Sequence, residues 1–589
     1  MKQFFKMLFA SMFGFIIGTV VLFFILIFIL SMVVSSMSTE TVTIKDNSIL
    51  HLELNQPIKE RSSKNPFEDF DLSNFSSNQQ LGLNDILKNI DKASKDNNIK
   101  GIYIDIPSFQ GGLATVEEIR NALLAFKKSG KFIYAYGDFY SQGSYYLAST
   151  ADKIYLNPEG QVALNGIASE SMFFKGTLEK LEIEPQVIRH GKFKSAIEPF
   201  ILEKMSPENR VQVAAFVDPI WKHISDEICK SRKIDQSTFK NMVDSMQLEN
   251  AADAKRLKVV DETAYFDEFT AQVARKMGIK SNKELPLISL SQYSKTPDKS
   301  GVKLAMAKIA VIYAVGDIGN GEGNDETIGS DRLSATIRKA RLDDKIKAIV
   351  LRVNSPGGDA LASEEIWREV SLAKKSKPVI VSMGDLAASG GYYISCAADK
   401  IVAQPNTLTG SIGVFGLLFN AEKMLKNKLG VTTDIYKTNP YTDMGTIARP
   451  LTSSEAIILQ KEVDRIYDVF TRRVAEGRGM SQAMVDSLGQ GRVWSGINAL
   501  QNGLADTLGG IETAISIAAK QAKLTEYRII QLPEQKDPVQ ELVEDFSTSI
   551  KTKYMKEDLG ESYTYVKAAK ELLKMKGVQA VSMYRIGFY

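Results

Sequence analysis

The segments IKAIVLRVNSPGGD (346–359) and GDLAASGGYYISCAADKIVAQP (384–405) decide the fold class of this chain. In each segment an apolar strand pattern runs into a glycine-rich turn, and a helical pattern follows the turn. The patterns predict strands at 348–353, 378–383 and 400–403 and helices at 362–375 and 391–398. Strands that alternate with helices of this length form βαβ units in a mostly parallel sheet. We therefore expect an α/β fold with ligands at the carboxyl ends of the strands, where both turns lie.

This pattern occurs twice in the chain. Residues 96–158 align with residues 343–405 at a constant offset of 247, without a gap and with 23 identities in 63 positions. Chance does not hold one register over such a length, so we expect a tandem repeat. The predicted division is an N-terminal segment (1–39), a first repeat (45–280), a linker (281–304), a second repeat (305–525) and a C-terminal tail (526–589) without a counterpart in the first half. In the tail, lysines interleaved with leucines and acidic residues predict a solvated amphipathic helix, with contact to an anionic membrane surface or a partner as the alternative.

Composition excludes several classes of function. The 589 residues carry 73 basic and 70 acidic side chains, a formal net charge of +3. Such a balance lacks the clustered basic excess of a nucleic-acid-binding protein, so no nucleic-acid partner is expected. The two cysteines, Cys229 and Cys396, are too few for a disulfide framework or a zinc knuckle. We expect neither a metal nor a cofactor.

The N-terminal segment reads as a membrane anchor. No charged residue lies between Met7 and Thr39, which exceeds the roughly 20 apolar residues that a spanning helix needs. A transmembrane helix is therefore predicted within the lipid bilayer over residues 8–34. Lys2 and Lys6 precede it, so the positive-inside rule places the N-terminus in the cytoplasm and the body in an extracytoplasmic space. A cleaved signal peptide is the alternative, but its apolar region would be shorter, about 7–15 residues.

The turns of the second repeat contain candidate catalytic groups. Ser389 has small neighbours on both sides and a predicted helix directly behind it, as suits a nucleophile on a tight strand-to-helix turn. The backbone N–H groups of Gly357, Gly358 and Gly390 are candidate donors to the oxyanion of an acyl-transfer reaction. The alternative is that Ser-Gly-Gly only lets the helix pack closely on the sheet.

A serine nucleophile needs a base. The second repeat has no histidine, and His190, the one histidine near a polar cluster, is expected to be a surface or packing residue. A lysine can serve instead if burial or a positive neighbour lowers its pKa. Composition does not single out one lysine among the many.

The motifs NSPGG and LAASGGYYISCAADKIVAQPNTLTGSIGV resemble the ClpP/crotonase superfamily. More closely, the chain resembles the long, duplicated, membrane-anchored form of the signal peptide peptidase A (protease IV) family. The further segments that match this form are GKFKSAIEPF (191–200), MSPENR (205–210) and GQGRVWSGINALQNGLAD (489–506). The resemblance implies a serine endopeptidase that degrades signal peptides left in the membrane after export, with tandem ClpP/crotonase-like domains.

The resemblance also implies roles for particular residues. Ser389 matches the nucleophile of a Ser–Lys dyad and Lys194 its general base. The segment Gly410, Ser411, Ile412 and Gly413 matches the lining of the substrate groove, where exposed backbone can pair with an extended peptide. A homotetramer at the bacterial inner membrane is implied, single-pass and with its catalytic body on the periplasmic side.

Two positions depart from a simple duplication. Gln142 stands in the first repeat where Ser389 stands in the second, and the stretch of the second repeat that matches Lys194 falls near Thr442, without a lysine. Each repeat thus supplies one member of a composite site.

Two other functions remain alternatives. A crotonase-like acyl-CoA enzyme would share the oxyanion turns, but an export anchor argues against it because CoA is cytoplasmic. A catalytically inactive membrane scaffold would not need both Ser389 and Lys194.

Overall fold

The computed structural model describes residues 2–37, 44–63, 70–71, 76–77, 81–279, 284–297, 305–535 and 578–581. Its strands, in chain order, are β1 (Ser48–Leu52), β2 (Phe70–Asp71), β3 (Ser76–Ser77), β4 (Ile99–Ile104), β5 (Phe132–Tyr140), β6 (Lys153–Val162), β7 (Glu184–Arg189), β8 (Glu262–Thr263), β9 (Leu287–Ser289), β10 (Lys308–Val315), β11 (Asp317–Gly319), β12 (Thr327–Gly329), β13 (Ile346–Ser355), β14 (Gly357–Asp359), β15 (Val379–Ala388), β16 (Lys400–Ala403), β17 (Leu408–Gly410), β18 (Phe415–Asn420), β19 (Val493–Ser495), β20 (Thr507–Leu508), β21 (Arg528–Leu532) and β22 (Val578–Val581).

The helices, in chain order, are α1 (Lys2–Met37), α2 (Leu83–Lys95), α3 (Leu113–Lys127), α4 (Gln142–Ala148), α5 (Lys175–Lys180), α6 (Glu198–Ile201), α7 (Pro207–Arg232), α8 (Gln236–Asp244), α9 (Ala251–Arg256), α10 (Phe266–Met277), α11 (Leu290–Ser294), α12 (Ser330–Leu342), α13 (Ala360–Lys374), α14 (Gly390–Ser395), α15 (Ser453–Arg478), α16 (Gln482–Leu488), α17 (Gly496–Gln501) and α18 (Ile511–Gln521). A 3-10 turn at Ser195–Ile197 and a π turn at Met424–Lys428 complete the set.

Each repeat is built on a mostly parallel sheet, which confirms the predicted α/β class. The first sheet has the strand order β8-β6-β5-β4-β1-β9, and all its pairs are parallel. The second has the order β19-β17-β15-β13-β10-β21; β16 also pairs with β15, and β20 pairs with β16. Its central strands β13 and β15 are longer than predicted because each continues into its glycine-rich turn, where the two strands still pair at Ser355 and Ala387.

The outer strands of the two sheets lie in the segments expected as linker and tail. The segment 281–304 contains β9, which pairs in parallel with β1 at the edge of the first sheet. The start of the 526–589 tail contains β21, which pairs in parallel with β10 in the same position of the second sheet. Both strands lie beyond the recognisable repeat, so sequence identity did not reveal that each sheet closes on a segment that follows it. The amphipathic helix expected in the tail lies outside the described residues.

Buried polar contacts join the two repeats. The Arg352 guanidinium, fully buried in β13, donates to Glu60 at 2.9 Å and lies 2.7 Å from a carboxylate oxygen of Glu118. Asp385 in β15 crosses to the first repeat, where its carboxylate accepts from the backbone N–H groups of Ala114 and Thr115 at 2.8 and 3.0 Å and so caps α3. Because leaving one member of a buried charge pair unmatched costs about 3–5 kcal/mol, these contacts fix the strand that leads to Ser389 against the first repeat.

A third sheet combines strands from distant parts of the chain, in the order β12-β11-β14-β22-β18-β7. From the first repeat, β7 pairs antiparallel with β18 over six residues. From the C-terminal tail, β22 lies between β14 and β18 and pairs antiparallel with both. Its strand β14 follows the carboxyl end of β13 and lies beside Gly390, which follows β15.

Helix α1 contains one stretch, Gln3–Ile25, that is long and apolar enough to cross a membrane, with a mean hydropathy of 2.5. None of this stretch is buried against the rest of the chain. A signal sequence would pass the same test of length and composition.

Candidate active site

Ser389 lies at the tip of β15, directly before α14. Its backbone has φ +57° and ψ −114°, a conformation that residues other than glycine rarely adopt. Its side chain is fully buried. Such strain persists only where the surroundings impose it. The N–H of Ser389 donates to the carbonyl of Gly410 at 2.8 Å, and its carbonyl accepts from Tyr393 to begin the helix. The following Gly390 has to lack a side chain, because a Cβ there would lie 2.8 Å from Ser363 Oγ.

Lys194 lies in the loop of the first repeat that follows β7, and its side chain reaches Ser389. Phe193 N–H donates to the carbonyl of Gln490 at 2.9 Å, which ties the loop to the second repeat. Gly491 has φ +85°, and a Cβ there would lie about 2.5 Å from the backbone N of Lys194. The backbones of the two repeats therefore approach as closely as glycine permits beside Lys194.

The Lys194 ammonium group lies against two serines. Nζ donates to Ser389 Oγ at 2.9 Å, to Ser411 Oγ at 3.1 Å and to the Ser411 carbonyl at 3.3 Å. The side chain is only 1% exposed, and desolvation by burial lowers the pKa of Lys194 to about 7. A neutral amine is therefore accessible near neutral pH, within hydrogen-bonding distance of a serine hydroxyl.

Of the three candidate oxyanion donors, two stay together beside the serine. The N–H of Gly357 donates to Ser355 Oγ at 3.1 Å and is thus already used. A Cβ on Gly390 would lie 3.1 Å from the backbone N of Gly358, so these two backbones are adjacent. Gly390 opens α14, and the N–H groups of a first helical turn have no partner within the helix. Gly358 and Gly390 remain the predicted pair of donors.

The segment Gly410 to Gly413 lies beside Lys194, and Gly410 belongs to β17, which pairs with β15 and β19. All four residues are buried, and Ile412 is fully enclosed in the core of the second repeat. Ser411 N–H donates to the Arg492 carbonyl, and the Ile412 carbonyl accepts from Gly491 N–H, both at 2.7 Å. Two further strands lie beside the catalytic groups: β14 approaches Gly390 at Gly358, and β18 contributes Phe415, whose ring centroid lies 5.9 Å from Lys194 Nζ.

Sequence reasoning missed Gln212, a fully buried side chain on α7. Its Nε2 donates to Ser195 Oγ at 3.0 Å and to the Phe193 carbonyl at 3.2 Å, and its Oε1 accepts from Val493 N–H at 2.8 Å. It therefore holds both flanks of Lys194 against the second repeat. A single glutamine in an amphipathic helix carries no signal of such a role in the sequence.

His190 occupies a different environment. Its Nδ1 lies 2.8 Å from an Asp464 carboxylate oxygen, and its ring stacks on Tyr467 at a centroid distance of 3.9 Å. The side chain is 36% exposed. This placement agrees with the expectation of a surface or packing residue.

The chain matches known protein families in both repeats. The model of peptidase family S49 matches residues 125–280 and 371–525, and the model of Clp protease matches residues 311–409. The S49 model therefore matches once in each repeat.

Individual relatives span most of the chain. "Protease 4" of Salmonella typhi is 39% identical over 77% of this chain and 74% of its own length. "Serine protease SPPA, chloroplastic" of Arabidopsis thaliana is 35% identical over 78% of this chain and 69% of its own. "Putative signal peptide peptidase SppA" of Enterococcus faecium is 36% identical over 38% of this chain and 66% of its own.

Proposed function

Because the chain belongs to peptidase family S49 and is a serine peptidase, we propose that Ser389 is its nucleophile and Lys194 its general base. The observation that carries this assignment is the 2.9 Å contact between Lys194 Nζ and Ser389 Oγ in a buried site. An inactive scaffold of the same fold would have no reason to bury a lysine, which costs stability, against a strained serine.

The geometry supports acyl transfer in two steps. Neutral Lys194 takes the Ser389 proton as Oγ attacks the peptide carbonyl carbon, and the resulting oxyanion accepts hydrogen bonds from the N–H groups of Gly358 and Gly390. The lysine then returns the proton to the leaving amine. In the second step it takes a proton from water, which hydrolyses the acyl-enzyme and restores the serine. Each oxyanion donor is worth about 3–4 kcal/mol of transition-state stabilisation.

The substrate we propose is an extended peptide, in particular a signal peptide or another exported or membrane peptide. The edges of β14 and β18 are one strand apart, with β22 between them, so a peptide in the place of β22 can pair on both sides. We call this space the peptide slot. One wall, β18, reads FGLLFN, so the slot is bordered by apolar side chains that suit an apolar substrate.

We also propose that α1 anchors the enzyme in the bacterial inner membrane, with the body on the periplasmic side. Lys2 and Lys6 on the cytoplasmic side of the apolar stretch support this orientation. A reporter that is active only after export, fused after Thr39, should then be active, and inactivity would contradict the orientation.

A head-to-tail homotetramer is the assembly we propose. Within one chain the first repeat extends β7 and the Lys194 loop over the second repeat. The corresponding stretch of the second repeat is exposed and carries apolar side chains, namely Leu429, Val431, Ile435, Tyr436, Tyr441, Met444 and Ile447. We propose that this stretch covers the first repeat of another copy, as its counterpart covers the second. Such a contact is heterologous and forms a ring when the rotation between copies closes, here after four copies. Tyr436, 95% exposed, gives the test: Tyr436→Asp should lower the mass measured by light scattering, whereas an unchanged mass would contradict this interface.

The substrate class can be tested with two peptides of equal length. Purified enzyme in detergent should cleave a synthetic signal peptide and leave a polar peptide nearly intact, and a fluorophosphonate should label Ser389. The matched control is Ser141→Ala, which removes the neighbouring serine of the first repeat. Equal cleavage of both peptides would contradict the signal-peptide preference, and labelling elsewhere than Ser389 would contradict the dyad.

A further inference from the structure

Three side chains that can bind a metal ion converge at the carboxyl end of the first sheet. His51 lies in β1, Glu53 follows that strand, and Asp105 follows the neighbouring strand β4. His51 Nε2 lies 3.1 Å from an Asp105 carboxylate oxygen and 3.9 Å from one of Glu53, and the three atoms all lie within 4.8 Å of one another. We propose that they bind one Zn²⁺ ion, which fixes the two strands to each other at this edge. His51 and Asp105 are 54 residues apart, so no spacing motif in the sequence marks the site.

The register of the two strands brings the three groups to one face of the sheet. β1 and β4 are parallel with His51 opposite Tyr103, so the next residues on this face, Glu53 and Asp105, are also opposite each other. Two ligand atoms that each lie about 2.0–2.2 Å from a tetrahedral zinc ion are about 3.4 Å apart. The separations of 3.1 and 3.9 Å lie on either side of this value. Because the Glu53 side chain is 48% exposed, a small rotation brings it to the required distance.

The second repeat has a cation at the matching point. By the 247-residue offset Asp105 matches Arg352, whose buried guanidinium lies between the carboxylates of Glu60 and Glu118. In the first repeat the residue at this point is itself a carboxylate, and it stands opposite Glu53. Like charges directly opposite each other destabilise a pair of strands. A bound divalent cation supplies here the positive charge that an arginine supplies in the other repeat.

The surroundings hold two of the ligands in place. The His51 ring stacks on Tyr103 at a centroid distance of 4.8 Å, with the two planes 8° apart. Burial and the neighbouring Asp105 carboxylate raise the pKa of Tyr103, so its hydroxyl stays protonated beside that carboxylate. Contacts of this kind orient the ligands in metal sites. One imidazole nitrogen with two carboxylate oxygens suits Zn²⁺, whereas Ca²⁺ and Mg²⁺ prefer oxygen ligands alone.

An ion at this point would act on the stability of the fold. Glu53 begins the segment that crosses from the first repeat to the second. Seven residues later Glu60 accepts from Arg352, and Arg61 donates to the Pro533 carbonyl at 2.8 Å. A metal that binds Glu53 fixes this crossing segment at its start, so the site we propose is structural and independent of the proposed dyad.

Zinc binding to the full-length chain tests the site. The protein in detergent, without a histidine tag and freed of metal by a chelator, should bind one Zn²⁺ per chain in isothermal titration calorimetry. Its midpoint of thermal unfolding should rise with the Zn²⁺ concentration, because a ligand of the native state stabilises that state by mass action. Since loss of an outer contact alone weakens a metal site about 10–100-fold, Glu53→Gln should raise the Kd about tenfold or more. This side chain is exposed, so the variant should fold. His51→Phe keeps a ring to stack on Tyr103 and removes the nitrogen, and should abolish the site.

His190 gives the matched control. Like His51 it stacks on a tyrosine and lies against one aspartate, Asp464, at 2.8 Å. Among the described residues the His51 cluster differs from this pair by its second carboxylate. His190→Phe should therefore bind Zn²⁺ with the Kd of the wild type. Absence of stoichiometric binding by the wild type, or an equal Kd in wild type and His51→Phe, would overturn the site. Loss of binding in His190→Phe alone would also overturn it, because the ion would then lie at the other histidine.

Discussion

The two repeats carry the same strand-to-helix turn, at 137–143 and at 384–390, yet only one of them holds a strained serine. Ser389 has φ +57°, whereas Ser141 in the first repeat has φ −65° and ψ 162°, an ordinary N-cap conformation. Ser141 Oγ accepts from the N–H of Ser144 at 3.3 Å and so begins α4. One turn is thus built to present a hydroxyl, and the other to start a helix.

Gln142, the residue that matches the nucleophile, makes its side-chain hydrogen bonds within the first repeat. Gln142 Oε1 accepts from the N–H groups of Asn165 and Gly166 at 3.1 and 2.8 Å, and its Nε2 donates to the Gly166 carbonyl at 2.9 Å. By the 247-residue offset these two residues match Ile412 and Gly413, which lie beside Lys194. The glutamine side chain therefore fills the space within one repeat that Lys194 fills from the other.

The largest expected difference in cleavage is between substitutions of Ser389 and Gln142. We expect Ser389→Ala to lower kcat for peptide cleavage by about 10⁴-fold or more, since the members of a catalytic unit fail together. Gln142→Ala should leave cleavage within a few-fold and instead lower the free energy of unfolding by about 1–2 kcal/mol, because the N–H groups of Asn165 and Gly166 lose the acceptor of two part-buried hydrogen bonds. Steady-state kinetics and urea unfolding measure the two effects. A cleavage loss in Gln142→Ala as large as that in Ser389→Ala would show that the first turn takes part in the reaction.

Lys194→Met should abolish activity and stabilise the fold. The unfolded lysine keeps its proton up to about pH 10.4, but the buried one only below about pH 7, so between these values unfolding takes up a proton. Burial of the lysine therefore lowers stability by a constant amount below about pH 7, of a few kcal/mol, and this cost disappears as the pH approaches 10. Methionine carries no charge and a similar volume, so its stabilisation in urea unfolding should be largest at pH 6–7 and vanish near pH 10. A gain that is independent of pH would contradict a lysine with a lowered pKa.

The pH profile of cleavage should report the same lysine. Because neutral Lys194 is the active form, kcat/KM should rise through an inflection near pH 7 and level off above it. Ser411 Oγ, an acceptor at 3.1 Å from Nζ, favours the charged form of Lys194, so Ser411→Ala should move the inflection to lower pH. We also expect the plateau to fall about tenfold, because the amine loses its orientation. An inflection that stays in place in Ser411→Ala would contradict the assignment of that ionisation to Lys194.

Much of this comparison could be predicted from local sequence. The repeated strand and turn patterns predicted the sheet, and the small residues around Ser389 predicted a tight turn, because both are properties of a few neighbouring residues. The role of Lys194 came only from a family resemblance. Its place beside Ser389, 195 residues away, depends on the pairing of β7 with β18 and on the close approach at Gly491, which no local pattern encodes.

Sequence reasoning missed the contacts between residues that lie far apart in the chain. Arg352 looks like a polar interruption of an apolar strand, and only its pairing with carboxylates of the first repeat explains its burial. The strand β18, which we propose as a wall of the slot, reads in the sequence as another apolar strand. The buried Gln212 and the strand β22 have partners from other parts of the chain, so their roles appear only in three dimensions.

The smallest effects should come from attempts to make the first turn resemble the second. In a Ser389→Ala background, Gln142→Ser should restore no cleavage. The new hydroxyl would lie in the first turn of α4, on a backbone that lacks the strained conformation of Ser389. It would also lack a lysine, because Thr442 stands near the position that matches Lys194. That stretch is exposed, and the Thr442 hydroxyl donates to the Asn439 carbonyl.

In the wild-type background, Ser141→Ala should leave cleavage within about twofold and lower the free energy of unfolding by about 1 kcal/mol, the usual cost of losing an N-cap. Mass spectrometry after fluorophosphonate treatment distinguishes the possibilities, since only Ser389 should be labelled in the wild type, and no serine in the Ser389→Ala, Gln142→Ser chain. Beside the turn at 137–143, Phe109 stands where the second repeat has Pro356, and its N–H donates to Ser141 Oγ at 3.4 Å. A label at residue 141 or 142 would mean that the first repeat has a site of its own, and that a composite site shared between the repeats is the wrong description.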